Sequence, residues 1–403
     1  MIRLPLPLLL ALLSAIPPLA IDMYLPAMGL MATDLNSDIH HVELTVSTFL
    51  VGYALGQLFG GPLSDRLGRK PVILVGISLF ALSSLLIIAV ESLDQLLALR
   101  VLQALGGGLA TVNSAAIVRD RFHGNDVAKT LSMVAMIMML APLLAPLLGS
   151  LVIHLAGWRE IFTLLSLYSL AVVIILLWQL EESHPKHKRT YSSPWRNYGR
   201  VLRHKPAMSY VLALAFGFTT MFVFITASPY LYLKHFQQSP AMFPWLFGAN
   251  IIVMMLMNRA NMLLLNRYRP DQLLLGGLGL QLLATLLLAA LFATSTPTLI
   301  VSVILIALSV GSIGLVAANA MSLVLHHFKD ISGSATALIG VTEFCIGALF
   351  GYLWSLLHNG TPLPMMLMMC VAASMAIVFA LQGQRLNNTV NADTGTTAGG
   401  SPK

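Results

Sequence analysis

Long apolar stretches recur along almost the whole chain, and they constrain its fold more than any other feature. A helix needs roughly 20 mainly apolar residues to cross the hydrocarbon core of a bilayer. Apolar residues make up 57% of the sequence and charged residues only 10%, which does not suit a water-exposed surface. The runs are continuous rather than alternating, so they favour helices over the strands of a β-barrel. We therefore predict an all-α membrane protein with twelve spans, near 6–27, 41–63, 71–90, 95–117, 128–154, 158–180, 206–232, 240–262, 272–293, 297–319, 332–356 and 362–383.

The net charge of +7 is unevenly distributed between the loops. Loops that follow even-numbered spans are basic, as in the segment with Arg66, Arg69 and Lys70, whereas the loop after span 1 carries Asp34 and Asp38. The positive-inside rule then predicts that both termini and the long central loop are cytoplasmic. We interpret the basic residues as topological anchors and expect no nucleic-acid partner.

One long polar segment interrupts the spans, at residues 181–205. It predicts two six-helix bundles, at 1–180 and 206–383, joined by a cytoplasmic linker. Residues 384–403 have the composition of a disordered cytoplasmic tail. A weak internal repeat between the loops that follow spans 2 and 8 supports this division, and parallel repeats are typical of secondary transporters.

Nothing in the sequence predicts a cofactor, a metal site or an enzyme. The two cysteines, Cys345 and Cys370, both fall inside predicted spans, and no histidines have metal-ligand spacing. A phosphate-binding GxxxxGK[ST] loop and a paired nucleophile and base are also absent from the sequence. ATP-driven transport and membrane-embedded catalysis are therefore disfavoured.

The loop between spans 2 and 3 matches the signature G-x-x-x-D-R-x-G-R-R/K at every defined position. Its glycines would permit close helix approach and a tight turn. Its aspartate and three cations would form a latch on the cytoplasmic side, whereas a solvated loop would need only the cations. The residues of this predicted gating motif are Gly61, Asp65, Arg66, Gly68, Arg69 and Lys70.

Four further segments carry a family resemblance: Ile21-Asp22-Met23-Tyr24-Leu25-Pro26-Ala27, Leu99-Arg100-Val101-Leu102-Gln103-Ala104-Leu105-Gly106, Val118-Arg119-Asp120 and Ala318-Asn319-Ala320-Met321. With the gating motif, they resemble the bicyclomycin and chloramphenicol resistance (Bcr/CflA) family of drug:proton antiporters, in the major facilitator superfamily. The resemblance implies the major-facilitator fold, a bacterial inner (plasma) membrane location and no cofactor. It also implies proton-coupled export of small drug-like molecules by alternating access, and we expect a monomer.

Three ionisable residues lie inside predicted spans, where a charge is costly unless it finds a partner or faces a cavity. Asp22 and Arg100 each lie about six residues from the outer end of a span, hence roughly 8 to 9 Å deep at 1.5 Å per residue. At that depth the two could pair, and a partner that moves away would let Asp22 exchange a proton. A permanent ion pair, or an Asp22 that caps a helix end, remains an alternative. Glu343 in span 11 is a candidate second proton site or substrate counter-charge, or a hydrogen-bonded structural residue.

Span 5 resembles the antiporter motif G-x-x-x-G-P-x-x-G-G, through Pro142, Ala145, Pro146 and Gly149. Small residues let helices pack closely, and proline bends a helix. Both leading glycines of the motif are alanines here and one final glycine remains, so the direction of transport stays open.

Adaptable aromatic and apolar walls with few polar groups suit diverse hydrophobic ligands. On that basis the candidate substrate-binding residues are Tyr24, Asn113, Phe222, Phe224, Tyr230, Asn250 and Asn319. Drug export is the favoured function. The alternatives are transport of a metabolite such as a nucleoside or amino-acid derivative, and a non-transporting membrane sensor.

Overall fold

The computed structural model describes residues 4–123, 125–185, 194–328 and 331–397, and every regular element in these ranges is helical. Twelve helices are long and apolar enough to cross a membrane, which confirms the predicted number. They are α1 Leu6–Asp34, α2 Ile39–Leu67, α3 Arg69–Ile87, α4 Leu93–Arg121, α5 Lys129–Leu155, α6 Arg159–Gln179, α7 Lys205–His235, α8 Phe243–Leu264, α9 Pro270–Thr294, α10 Leu299–His326, α11 Ser332–Leu357 and α12 Leu363–Thr389.

Two helical segments extend beyond the predicted spans. Within the central polar segment, Pro194–Arg203 forms a short helix. The last helix continues to Thr397, past the predicted end near 383, and no proline interrupts its polar extension.

Every third span, namely α1, α4, α7 and α10, is interrupted. In α4 the helix Leu93–Thr111 is followed by Asn113–Arg121, and in α10 Leu299–Gly311 is followed by Ile313–His326. In α7 the regular helix ends at Pro229 and a π-helical turn, Tyr230–His235, completes the span. Discontinuous spans free backbone groups and are typical of transporter binding regions.

The first span is the most divided, and its prolines explain why. It consists of Leu6–Ser14, Ile16–Asp22, a 3₁₀ turn at Leu25–Ala27 and Met28–Asp34. Pro17, Pro18 and Pro26 lack the N–H group that a continuous helix needs. The break places Asp22 at the end of a helical segment rather than in a regular turn.

The chain forms two compact units. The first comprises Met1–Ser192, Phe222–Ile252 and Phe344–Met365, and the second comprises Ser193–Met221, Val253–Glu343 and Met366–Lys403. These units do not coincide with the two chain halves, and the division into two six-helix bundles stays a prediction.

In the first unit, small residues bring α2 and α4 into backbone contact. A Cβ atom added to Gly60 would lie 2.9 Å from the Leu109 Cα atom, and one added to Gly56 would lie 2.8 Å from the Gly108 Cα atom. Such spacing is typical of close helix packing in membranes. Arg100, on α4, is thereby held in the interior of the unit.

In the second unit, a buried amide joins three spans. The Gln281 Nε2 group of α9 donates to the Thr220 hydroxyl of α7 at 2.7 Å, and it lies 3.3 Å from the Ser309 carbonyl of α10. Buried polar groups need such partners because unmade hydrogen bonds are costly in a low dielectric. The contact therefore fixes the register of α9 against its neighbours.

Candidate transport site and cytoplasmic latch

Asp22 lies buried at the break in α1. Its side chain is 4% exposed, and Oδ1 has no hydrogen-bond partner. Within the described part of the chain, no ion pair includes Asp22. The carboxyl group therefore lies in an unusually costly position for a membrane protein, which marks it as a functional candidate.

Arg100 is fully buried in α4 within an aromatic cage. Its Cζ atom lies 4.5 Å from the ring centre of Tyr24 and 4.4 Å from that of Phe49, with Phe162 at 6.0 Å. A desolvated cation over aromatic faces gains about 2 kcal/mol or more. The cage therefore stabilises the guanidinium group without a carboxylate.

The hydrogen bonds of Arg100 are incomplete. Its Nη1 group donates to Gln103 Oε1 at 2.6 Å, and Gln103 Nε2 donates in turn to the Ser84 hydroxyl at 2.7 Å. The Nε and Nη2 groups have no partner. Two N–H-bearing nitrogens are thus available for an acceptor in the interior of the first unit.

Counting residues from the span ends predicted that Asp22 and Arg100 lie at the same depth in the membrane, but the structure does not pair them. No ion pair within 4.0 Å joins them among the described residues. Tyr24 interacts electrostatically with both groups, and its hydroxyl is hydrogen bonded to that of Thr45 at 2.8 Å. Tyr24, predicted as a substrate residue, therefore links the two charged candidates.

The antiporter-type motif of α5 packs beside Asp22. A Cβ atom added to Gly149 would overlap the carbonyl oxygen of Met23, the residue after Asp22. Ala145 is completely buried one turn earlier, and Pro142 and Pro146 both lie within the helix. Of the two final glycine positions in the motif, the one retained here thus lies directly against the backbone of α1.

The residues of the predicted gating motif form an ion-pair cluster, which we call the cytoplasmic latch after the side of the membrane that the loop charges predict for it. Arg69 Nη1 lies 2.6 Å from Asp65 Oδ1 and also donates to the Ser64 hydroxyl at 2.6 Å. Its Nε group donates to Asp120 Oδ2 at 3.3 Å, and the Ser183 hydroxyl donates to the same oxygen at 3.0 Å. The latch therefore joins the α2–α3 turn, the end of α4 and the segment after α6.

Glu182 completes the latch by capping the start of α3. Its Oε1 and Oε2 atoms accept from the backbone N–H groups of Arg69 at 2.9 Å and Lys70 at 3.2 Å. A carboxylate is favoured there because the first N–H groups of a helix lack partners and carry partial positive charge. The sequence analysis named neither Glu182 nor Asp120 as a latch residue.

The other motif residues differ in what they do. Gly68 has φ +104°, a conformation that favours glycine and makes the predicted tight turn. Lys70 Nζ donates to the Leu177 carbonyl at 2.9 Å. Gly61 has no described atom within 4 Å of an added Cβ, so close packing is not seen at that residue, and Arg66 is exposed.

Phe222 and Phe224, the two phenylalanines among the substrate candidates, contact different rings of the first unit. The Phe222 ring lies 5.4 Å from that of Phe344, which lies 4.7 Å from Tyr53. Phe224 packs against Phe247 at 5.6 Å and Tyr232 at 6.1 Å. Each of the two predicted phenylalanines therefore packs against other aromatic side chains of the first unit.

The amide candidates are buried and bonded to backbone carbonyls of their own helices. Asn113 donates to Leu109 at 2.8 Å, and Asn250 donates to Phe247 at 3.0 Å. In both residues Oδ1 has no partner. These amides retain free acceptors in the first unit.

Two candidates lie in the second unit. Asn319 on α10 donates to Asn261 Oδ1 of α8 at 2.7 Å. Glu343 on α11 is half-buried, and no hydrogen bond or ion pair to it is found among the described residues.

One buried ionisable residue, Glu43, was not predicted from the sequence. Glu43 is completely buried near the start of α2 and hydrogen bonded to two other spans. Its signal in the sequence is weak, because it follows the polar loop that ends in His40 and His41 and reads as part of a solvated span end. Tyr230, the remaining substrate candidate, contacts Glu43 through its backbone N–H.

A protein with twelve apolar helices, regularly interrupted spans and buried unpaired charges belongs to the class of membrane transporters. A family model of the Major Facilitator Superfamily matches residues 10–352. The chain belongs to this superfamily and is a multi-pass membrane transporter of small molecules, not an enzyme.

Relatives of known sequence support the same classification. The chain is 31% identical over 386 residues to a bicyclomycin resistance protein homolog of Haemophilus influenzae, covering 94% of this chain and 96% of the relative. It is 31% identical over 382 residues to the uncharacterized MFS-type transporter YdgK of Bacillus subtilis, covering 92% and 93%. The multidrug resistance protein MdtL of Escherichia coli is 29% identical over 343 residues, covering 85% and 86%. The predicted family resemblance is confirmed.

Solved structures share the fold. A crystal structure of a D-xylose-proton symporter has a TM-score of 0.72 at 16% identity, covering 94% of this chain and 95% of that one. A partially occluded inward-open structure of the xylose transporter XylE of E. coli has a TM-score of 0.70 at 14% identity, covering 93% and 95%. At these identities the likeness concerns the fold alone.

Proposed function

We propose that this transporter exports drug-like small molecules in exchange for protons. The observation that carries the proposal is the presence of two buried charged groups without a mutual ion pair, Asp22 and Arg100, in one unit. A carboxyl group that lacks a partner in one conformation and reaches an arginine in another changes its proton affinity between the two. This change is what coupling to a proton gradient requires.

The substrate class comes from the relatives, which carry the names bicyclomycin resistance protein homolog and multidrug resistance protein. Tyr24 and the aromatic clusters offer adaptable walls for such ligands, and Glu343 supplies a candidate counter-charge or a second proton site. Gly149 of the antiporter-type motif packs against the backbone of α1 at Met23, so a movement of α5 would act directly on the neighbouring Asp22. Export is therefore favoured over uptake.

The membrane arrangement follows from the charge pattern. Basic loops on one side support our proposal that both termini and the cytoplasmic latch lie in the cytoplasm of a bacterium, with the chain in its inner membrane. Inward proton movement supplies about 2.3 kcal/mol per charge for each 100 mV, and a pH gradient adds to it. We expect the protein to work as a monomer, with no nucleic-acid partner.

Everted vesicles with a pH-sensitive dye test the proposal. In wild type, a chloramphenicol-type or bicyclomycin-type compound should discharge the respiratory pH gradient, and Asp22→Asn should abolish the response. Asp126→Asn is the matched control, because Asp126 is an exposed carboxylate at the start of the fifth helix. Discharge by nucleosides alone would support the metabolite alternative, and normal coupling in Asp22→Asn would refute the role given to Asp22.

A further inference from the structure

Where α2 meets α7 and α11, four buried side chains and one half-buried side chain form a cluster that contains neither Asp22 nor Arg100. We call it the histidine–glutamate cluster, and it consists of His40, Glu43, Tyr230, Trp354 and His358. All five belong to the first unit. Glu43 is 0% exposed and His40 is 3% exposed.

The Glu43 carboxylate connects three spans through N–H donors. Oε2 accepts from the indole Nε1 of Trp354 at 2.7 Å, and Oε1 accepts from the backbone N–H of Tyr230 at 3.0 Å. His40 Nδ1 lies 3.2 Å from Oε2. A single carboxylate therefore holds α2 to both α7 and α11.

His40 is held by contacts of both its ring and its backbone. Its ring stacks on that of His358, with centroids 3.5 Å apart and an interplanar angle of 15°. The centroid of the Tyr230 ring lies 4.7 Å from that of the His40 ring. The His40 carbonyl accepts from the Ser355 hydroxyl at 3.1 Å. Two imidazoles at this spacing repel each other when both are protonated.

The donors and acceptors around Glu43 limit the number of protons that the packed cluster can hold. The Trp354 indole and the Tyr230 backbone donate only, so a protonated Glu43 has no acceptor in the cluster except His40 Nδ1. One proton between Glu43 and His40 satisfies both groups. With a proton on each, the two groups face each other as donors and their bond is lost.

The charged side chains of Asp38 and Lys234 lie next to the cluster. Asp38 accepts from the His40 backbone N–H at 2.9 Å and lies 3.9 Å from Lys234. Burial raises the pKa of Asp38, but the His40 N–H and the nearby His40 and Lys234 charges outweigh it and lower this pKa overall. Asp38 thus stays ionised at a pH at which an ordinary histidine gains its proton.

The pKa of His358 is lowered, first by burial and then by the charges of His40, His41 and Lys234, against the opposing effect of Asp38. A histidine with a lowered pKa binds fewer protons in the packed state than in solvent. Packing is therefore favoured above the ordinary histidine pKa of about 6.5, and acidification shifts the equilibrium toward the unpacked state.

We propose that the histidine–glutamate cluster is a second proton-binding site, loaded from the outer side of the membrane, whose protonation separates α2 from α7 and α11. The loops beside it carry few basic residues, which places it opposite the cytoplasmic latch. The inference rests on the proposed function in one respect, since an exporter must open toward the outer side.

A cysteine reporter one helical turn from Glu43 tests this inference. Ser47 is 4% exposed and faces Gly351 of α11, so Ser47→Cys in a chain with Cys345→Ala and Cys370→Ala is shielded while the cluster is packed. Intact cells are treated with a membrane-impermeant maleimide between about pH 8 and about pH 5.5, where histidine titrates. Ser295→Cys, at an exposed position in the loop after α9, corrects for the pH dependence of the reagent.

We expect the corrected labelling rate to rise at least about tenfold on acidification, because a hydrogen bond to a charged group is worth that much. His358→Gln should flatten this rise, and Glu43→Gln should label rapidly at both pH values, since an amide offers one acceptor oxygen instead of two. His154→Gln is the matched control, because His154 is exposed on α5 and is not among the charged groups that act on the cluster.

A labelling rate that is independent of pH in the parent would overturn the proposal, as would an unaltered rise in His358→Gln. The two hypotheses can fail separately. Substrate-driven proton flux without pH-dependent labelling refutes only the second site, whereas labelling that follows pH in a protein without such flux refutes only proton-coupled export.

Discussion

Arg100 is the residue whose environment depends most on side-chain shape. A planar guanidinium fits between Tyr24 and Phe49 and donates to Gln103, whereas an ammonium group is a compact charge that stacks poorly. The interior of the first unit is therefore built for arginine rather than for any cation.

We predict that Arg100→Lys lowers substrate-dependent proton flux at least about tenfold and destabilises the protein by roughly 1 to 3 kcal/mol, through lost stacking and a lost charged hydrogen bond. Flux in everted vesicles and thermal unfolding in detergent measure the two effects. Arg121→Lys is the control on the same helix, because Arg121 is exposed and pairs with Glu181 at 3.3 Å. Equal proton flux and equal thermal stability of the two variants would contradict the prediction.

The sequence predicted individual ionisable residues only where they interrupt a long apolar run. Asp22, Arg100 and Glu343 stand out for that reason, and their depth follows from counting residues. Depth does not give the direction of a side chain around its helix, which is why the possible pair of Asp22 and Arg100 is not formed. Glu43 escaped notice because only the tertiary contacts with α7 and α11 bury it.

At the scale of elements, the contact of α5 with α1 depends on one missing side chain. The Cβ atom of an alanine at 149 would overlap the Met23 carbonyl oxygen, and a backbone atom cannot move aside as a flexible side chain does. The two helices would have to separate next to Asp22. A side chain at position 149 should therefore disturb both the packing of α5 on α1 and proton exchange at Asp22.

We predict that Gly149→Ala destabilises the protein by about 1 to 3 kcal/mol, the usual cost of overpacking, and lowers proton flux. Gly276→Ala in α9 is the matched control. No described atom lies within 4 Å of its added Cβ, so the higher helix propensity of alanine should stabilise it by about 0.5 to 1 kcal/mol. Opposite shifts in melting temperature are the expected result, and a stabilised Gly149→Ala would refute the packing argument.

The twelve spans were predictable because the bilayer requires long apolar helices, and their number is confirmed. The interruptions were harder to predict. Prolines mark the break in α1, but α4 and α10 break near Val112 and Ser312 without a proline. There the tertiary packing of neighbouring spans decides, and a single sequence does not contain it.

At the scale of the whole molecule, the cytoplasmic latch joins parts of the chain that are far apart in sequence. Glu182 follows α6, yet it caps α3 more than a hundred residues earlier, and Asp120 at the end of α4 shares Arg69 with Asp65. The motif predicted a latch of Asp65 with its three cations, and the structure pairs Asp65 with Arg69. The two outside carboxylates could not be predicted, since nothing local ties them to the motif.

We predict that Glu182→Gln destabilises the protein by about 1 kcal/mol, because a neutral amide caps a helix N-terminus less well than a carboxylate and supplies one acceptor oxygen instead of two. The first turn of α3 should then exchange its amide hydrogens faster, which hydrogen–deuterium exchange with mass spectrometry detects for peptides that begin near Arg69.

Glu181→Gln is the matched control for this change. Glu181 is the preceding residue with the same side chain, but its carboxylate is 70% exposed and pairs with the exposed Arg121, so screening by water leaves it little effect on stability. Faster exchange in Glu182→Gln alone would assign the effect to the cap of α3. Equal exchange in both variants would mean that the net charge of the segment after α6, rather than the two N–H bonds of Glu182, holds the latch closed.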